Sequence, residues 1–91
     1  MSGRRLRLAT RARLHFDRHA DQWLLLYPER GLALNRTAVE IVRLLTGEHT
    51  LEGIVARLAA DAPPDARATV ACDVERFVDV LASRCLLDDA G

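Results

Sequence analysis

The sequence predicts an α+β fold, a small winged-helix-like domain with a three-stranded antiparallel sheet followed by three helices. Three observations carry that expectation. Residues 23–27 (WLLLY) are an apolar run closed by Pro28, too short for a free-standing helix and so read as a strand. Short apolar segments at residues 14–17 and 32–34 flank it at turn distance. From Thr37 onward the apolar spacing becomes three and four, the period of a helix face. Ninety-one residues make one domain, and a chain of this size buries only about 60–65% of its extended surface.

Residues 1–12 are basic, with Leu6 and Leu8 alternating between arginines. Their polarity and terminal position read as an N-terminal arm, flexible or exchanged with a neighbouring molecule as an added edge strand. The domain proper is expected over residues 13–87, and residues 88–91 as a fraying tail. Leu14, His15, Phe16 and Asp17 alternate apolar and polar, as a half-buried strand does. His15 and His19 stand four apart, a metal-ligand spacing only on a helix, and the pattern here is strand and loop. No metal site is expected.

The second strand places Trp23, Leu25 and Tyr27 on one face and Leu24 and Leu26 on the other. Both faces are apolar. Either Trp23 and Tyr27 lie at the margin with their polar ends in water, or the second face meets another protein or a second copy. Pro28 presets the first corner of a turn, and Gly31 can take positive φ at its exit. Leu32–Leu34 is a very short third strand.

Thr37 and Glu40 form a T-x-x-E capping box. Ala38, Ile41, Val42 and Leu45 then fall on one helical face, and Gly47 is placed to end that helix near Thr46. Gly47-Glu48-His49 reads as a short link. Thr50 caps a second helix carrying Leu51, Ile54, Val55 and Leu58. Gly53 inside it costs about 1 kcal/mol relative to alanine or permits close helix packing. Pro63-Pro64 ends that helix. Asp65 caps the third, whose stripe is Val70, Val74, Phe77, Val78, Leu81 and Cys85, with Asp73, Glu75, Arg76 and Asp79 on the remaining surface. Leu86 and Leu87 close the chain against the core.

Net charge is zero, a poor footprint for a nucleic-acid binder. The charge is uneven: residues 1–13 hold five arginines, and the rest of the chain holds 8 against 13 acids. No stretch reaches the ~20 apolar residues of a membrane span. The arginine-rich start lacks the apolar core of a secretory signal, so the default location is cytoplasmic. Cys72 and Cys85 lie 13 residues apart on the predicted third helix, about 20 Å and beyond disulfide reach. Two buried thiols are expected. No phosphate loop, metal cluster or nucleophile–base pair stands out, so the chain does not read as an enzyme.

A short strand with one free edge beside helices suggests a module that binds a peptide by strand addition. The run WLLLYPERGLALNRTAVEIV resembles the core of the PqqD family, the small D protein of pyrroloquinoline quinone (PQQ) biosynthesis. RLHFD at residues 13–17 and DVERFVDVL in the last helix fall where that family has matching segments, so the resemblance covers residues 13–87. It implies a winged-helix peptide chaperone, a RiPP recognition element without a cofactor of its own. The bound peptide would be the precursor PqqA, and the partner the radical-SAM enzyme PqqE, which crosslinks a Glu and a Tyr within it. One wall of the expected cleft is Leu32, Ala33, Leu34 and Asn35. The other is the third helix with Val70, Asp73, Val74, Phe77, Val78 and Leu81. Two other readings stand beside this one: a winged-helix DNA-binding protein, favoured only by the arginine arm, and a dimerising scaffold held by the second sheet face, with a homodimer also compatible with peptide binding.

Overall fold

Each apolar run becomes an element facing one shared core. In the computed structural model, which describes residues 4–28 and 30–89, the order is β1 (Arg5–Leu8), β2 (Arg13–Asp17), β3 (Gln22–Tyr27), β4 (Arg30–Leu34), α1 (Arg36–Arg43), β5 (Thr46–Thr50), α2 (Leu51–Ala60), a 3-10 turn (Pro64–Ala66), α3 (Arg67–Ser83) and β6 (Leu87–Asp89). The fold is α+β as expected, with three helices.

The predicted sheet is β2-β3-β4, antiparallel with β3 in the middle. Leu14 opposes Leu25, and Leu25 opposes Leu32, so one face is apolar across all three strands. Leu25 is fully buried there, with Trp23 and Tyr27 partly buried at the margins of the core. Leu24 and Leu26 on the opposite face are half-buried. The β2–β3 turn is held by the Asp17 carboxylate, which accepts from the His19 N–H at 3.0 Å, and Asp21 takes a positive φ of 51°. Gly31, expected at positive φ, does not adopt it. An added Cβ there would instead lie 3.2 Å from the Leu26 side chain, so cross-strand crowding is what favours glycine.

A second antiparallel sheet, β5-β1-β6, was not foreseen. Residues 5–8, expected within a flexible or exchanged arm, are its central strand and pair within the same chain. Leu6 and Leu8 point into the core, which is what their alternation with arginine encodes. Main-chain bonds from Leu8 to the Leu45 carbonyl (3.0 Å) and from Ala9 to the Leu86 carbonyl (2.8 Å) extend the stitching. Residues 88 and 89, expected to fray, belong to β6.

The link Gly47-Glu48-His49 is likewise strand. Leu6 pairs with His49 and Arg7 with Thr46, so two extra residues bulge from β5, and Gly47 sits in that bulge at φ 89°. Its glycine serves the bulge and not a helix end. α1 stops earlier than expected, at Arg43, with its cap at Leu44.

The caps divide in the same way. Thr50 caps α2 as read, its hydroxyl accepting from the Gly53 N–H at 3.0 Å. At α1 the cap is Asn35, whose side-chain oxygen accepts from the Ala38 N–H at 2.8 Å, two residues before the expected Thr37. α3 begins at Arg67 with no side-chain cap, because Pro64–Ala66 form the preceding turn. Its C-terminus is a Schellman motif: the Leu86 N–H bonds the Leu81 carbonyl at 2.9 Å and the Cys85 N–H the Ala82 carbonyl at 3.0 Å, with Cys85 at φ 58°. Leu81 and Leu86, the apolar pair of that motif, are both fully buried. The Arg11 guanidinium donates to the carbonyls of Arg84 and Cys85 at 3.0 and 2.9 Å, a cation at the negative end of the helix. Both cysteines are exposed, contrary to expectation: Cys72 lies off the buried stripe and Cys85 lies past the helix end.

Candidate functional site

β4 is an edge strand: it pairs with β3 and with no other described strand. The register Tyr27–Arg30 closes the hairpin with two residues, which makes that closing pair a hydrogen-bonded one. Alternation along the ladder then turns the main-chain groups of Leu32 and Leu34 toward β3 and those of Gly31 and Ala33 outward. The side chains alternate too. Leu34 is buried, Leu32 half-buried and Ala33 exposed.

β4 ends at a cleft. Asn35, the next residue, lines it together with Thr37, Ala38 and Ile41 of α1. The facing wall is α3, with Asp73, Arg76, Phe77 and Val80. The space is about 300 Å³, large enough for one or two side chains. Its floor is apolar and its charges stand on the rim. Asn35 is held in place by capping α1, so the same residue starts the helix and borders the cleft.

The expected site residues divide into two groups. Asn35, Asp73 and Phe77 meet at the cleft. Leu32 and Ala33 lie on the free strand leading to it. Leu34, Val74, Val78 and Leu81 are instead buried in the core, because the most apolar stripe of α3 packs chiefly against α2, with α1 beside it. They support the cleft from behind and do not line it. Val70 is half-buried two turns before Phe77, in an adjoining cleft bordered by Arg36, Glu40 and Leu58, and Thr37 lines both clefts.

Sequence reasoning missed Thr37, Ala38, Ile41, Arg76 and Val80. A signal existed on α3: residues 73, 76, 77 and 80 fall at i, i+3, i+4 and i+7, a second face beside the buried stripe. Val80 on it is 37% exposed, unusual for a large aliphatic residue. The α1 residues carried no such mark, since Ala38 and Ile41 also belong to the core.

A second surface feature lies on the other side of α1. Phe16 and Trp23 pack at 5.1 Å between ring centroids, and the Arg43 guanidinium sits 5.3 Å from the Trp23 ring. Among the described residues, no three His, Cys, Asp or Glu gather as metal ligands, and no helix is long and apolar enough to cross a membrane.

Residues 22–87 match the family model described as coenzyme PQQ synthesis protein D. A PqqA binding protein of Rhizobium meliloti is 41% identical over 85 residues, covering 91% of this chain and 84% of the relative. One from Xanthomonas euvesicatoria is 39% identical over 75 residues, covering 82% and 80%. Among solved structures, the solution structure of the PqqD part of Methylobacterium extorquens PqqCD, described as a functional stand-alone RiPP recognition element, superimposes with a TM-score of 0.70 at 30% identity, over 91% of this chain and 87% of that one. The heterocyclase TruD contains a similar fold, with a TM-score of 0.64 at 21% identity, over 94% of this chain and 11% of that one.

Proposed function

Since this chain belongs to the PqqD family, we propose that it is a peptide chaperone of PQQ biosynthesis: it binds the precursor peptide PqqA by strand addition along β4 and presents it to the radical-SAM enzyme PqqE. The observation that carries this is the free edge of β4 running into the cleft between α1 and α3. An extended peptide beside β4 gains main-chain hydrogen bonds from Gly31 and Ala33, while alternate side chains drop toward Phe77 and Val80. The chain needs no chemistry of its own for this role. Holding the peptide while touching the enzyme raises the local concentration of substrate at PqqE by tethering.

The test is peptide binding with the edge blocked. Ala33→Pro removes an outward N–H and places a ring where the incoming strand would lie. Titration with PqqA should show binding to the wild type and at least a tenfold loss in the variant. Far-UV circular dichroism should be unchanged, because the Ala33 main chain does not bond to β3. Amide shifts on adding PqqA should fall on Leu32–Asn35 and on the α3 wall. Shifts confined to other surfaces would overturn the reading, as would a wild type that ignores the peptide.

A further inference from the structure

Main-chain pairing is nearly blind to sequence, and a strand slipped by two residues keeps the same hydrogen-bond pattern. Register along a free edge must therefore come from side chains. In the cleft they come chiefly from α3, where Asp73 and Arg76 stand one turn apart beside Phe77 and Val80. They are the one acid and the one arginine lining this cleft. Both are exposed, and neither is paired with another described residue. Across the cleft the Asn35 side-chain oxygen is already committed to its cap.

We propose that Arg76 and Asp73 set the register of the bound peptide by charge. An acidic side chain of the peptide pairs with Arg76, next to an apolar side chain seated on Phe77 and Val80. Asp73 repels that same acid when the peptide slides along the edge. The proposal rests on the strand-addition reading of the cleft. The spacing suits it: three residues of helix rise about 4.5 Å, and two residues of strand advance about 6.7 Å, a difference the long arginine side chain spans. A guanidinium offers a carboxylate two parallel donors, which fixes geometry as well as charge. Repulsion at Asp73 acts against the wrong register, and discrimination needs that second element.

The experiment is a charge swap, with full-length protein and PqqA as probe. Each Asp and Glu of PqqA is changed singly to Arg, and every peptide is titrated against the wild type and Arg76→Glu. Arg76→Glu should bind unmodified PqqA roughly tenfold more weakly, with a shallower salt dependence. One swapped peptide should bind the wild type poorly and Arg76→Glu at near wild-type affinity. Circular dichroism of the variant should be unchanged, since Arg76 is exposed. The proposal is overturned if Arg76→Glu binds PqqA like the wild type, or if no swapped peptide restores affinity. If binding is lost in Ala33→Pro yet indifferent to Arg76→Glu, strand addition stands and charge-set register falls. If the wild type does not bind PqqA, both fall.

Discussion

The two sheets have three strands each and arise from opposite kinds of information. β2, β3 and β4 follow one another along residues 13–34, joined by short turns. β5, β1 and β6 come from the middle, the beginning and the end of the chain. In the first sheet each strand's partner lies a few residues away, so local pattern decides the pairing: an apolar run, a proline turn, then another apolar segment. In the second, the strands are four, five and three residues long and rich in charged or polar side chains. Only the closed fold brings them together. The site inherits the distinction, since β4 belongs to the local sheet, whereas the second sheet packs against α2 through β5 and against α3 through β6.

Removing β1 is the most severe perturbation of the second sheet. If the second sheet is integral to the domain, deleting residues 1–12 unpairs β5 and β6. The deletion also removes the Arg11 contacts at the end of α3 and the buried Ala9 and Ala12. A domain of this size has a total stability of about 5–15 kcal/mol at most, and the expected outcome is loss of a cooperative melting transition. A transition within a few degrees of the full chain would mean that the second sheet is an accessory and the first sheet with its helices is the domain.

That contrast also explains what could be read in advance. The meander, three helices, the α2 cap at Thr50 and most of the α3 stripe were legible, because each depends on residues within one or two turns of one another. β1 was not. Leu6 and Leu8 alternate with arginines just as a strand should, but nothing nearby pairs with them, and charge at a chain terminus looks like a solvated arm. The site was half legible for a similar reason. Asn35, Asp73 and Phe77 do line the cleft, yet the sequence marks the third helix as a wall by its most apolar face. That face is the one the core takes, so Val74, Val78 and Leu81 went inside while Arg76 and Val80 were left to the cleft.

A smaller effect separates the two sheets within the core. Leu25, in the centre of the first sheet, has no exposed surface. Leu8, in the central strand of the second, is half-buried. Leu25→Ala should cost about 2–5 kcal/mol, from lost transfer energy and the cavity left behind. Leu8→Ala should cost roughly half as much, since less of its surface leaves water on folding. Chemical denaturation with unchanged slope would measure both. Equal losses would show that the two sheets share one core on equal terms.

The smallest effect concerns the points where the sheets hand the chain to helices. β4 leads through Asn35 into α1, and β5 ends at Thr50, which caps α2. The two caps are alike in geometry: each side-chain oxygen accepts from the N–H three residues on, at 2.8 and 3.0 Å. Each should contribute about 1 kcal/mol, so Asn35→Ala and Thr50→Ala are expected to lower stability by similar amounts. Thr37, which the sequence nominated through its spacing to Glu40, sits inside the first turn of α1 and makes no capping bond there. Thr37→Ala should therefore change stability by less than about 0.5 kcal/mol, within the range of ordinary surface substitutions. The three variants can be compared in parallel urea titrations. A loss at Thr37 equal to that at Asn35 would restore the capping box and move the start of α1. Because Asn35 also borders the cleft, its variant carries a second readout: if the cap positions the cleft wall, Asn35→Ala should weaken PqqA binding beyond the change seen with Thr50→Ala, whose helix start does not line the cleft.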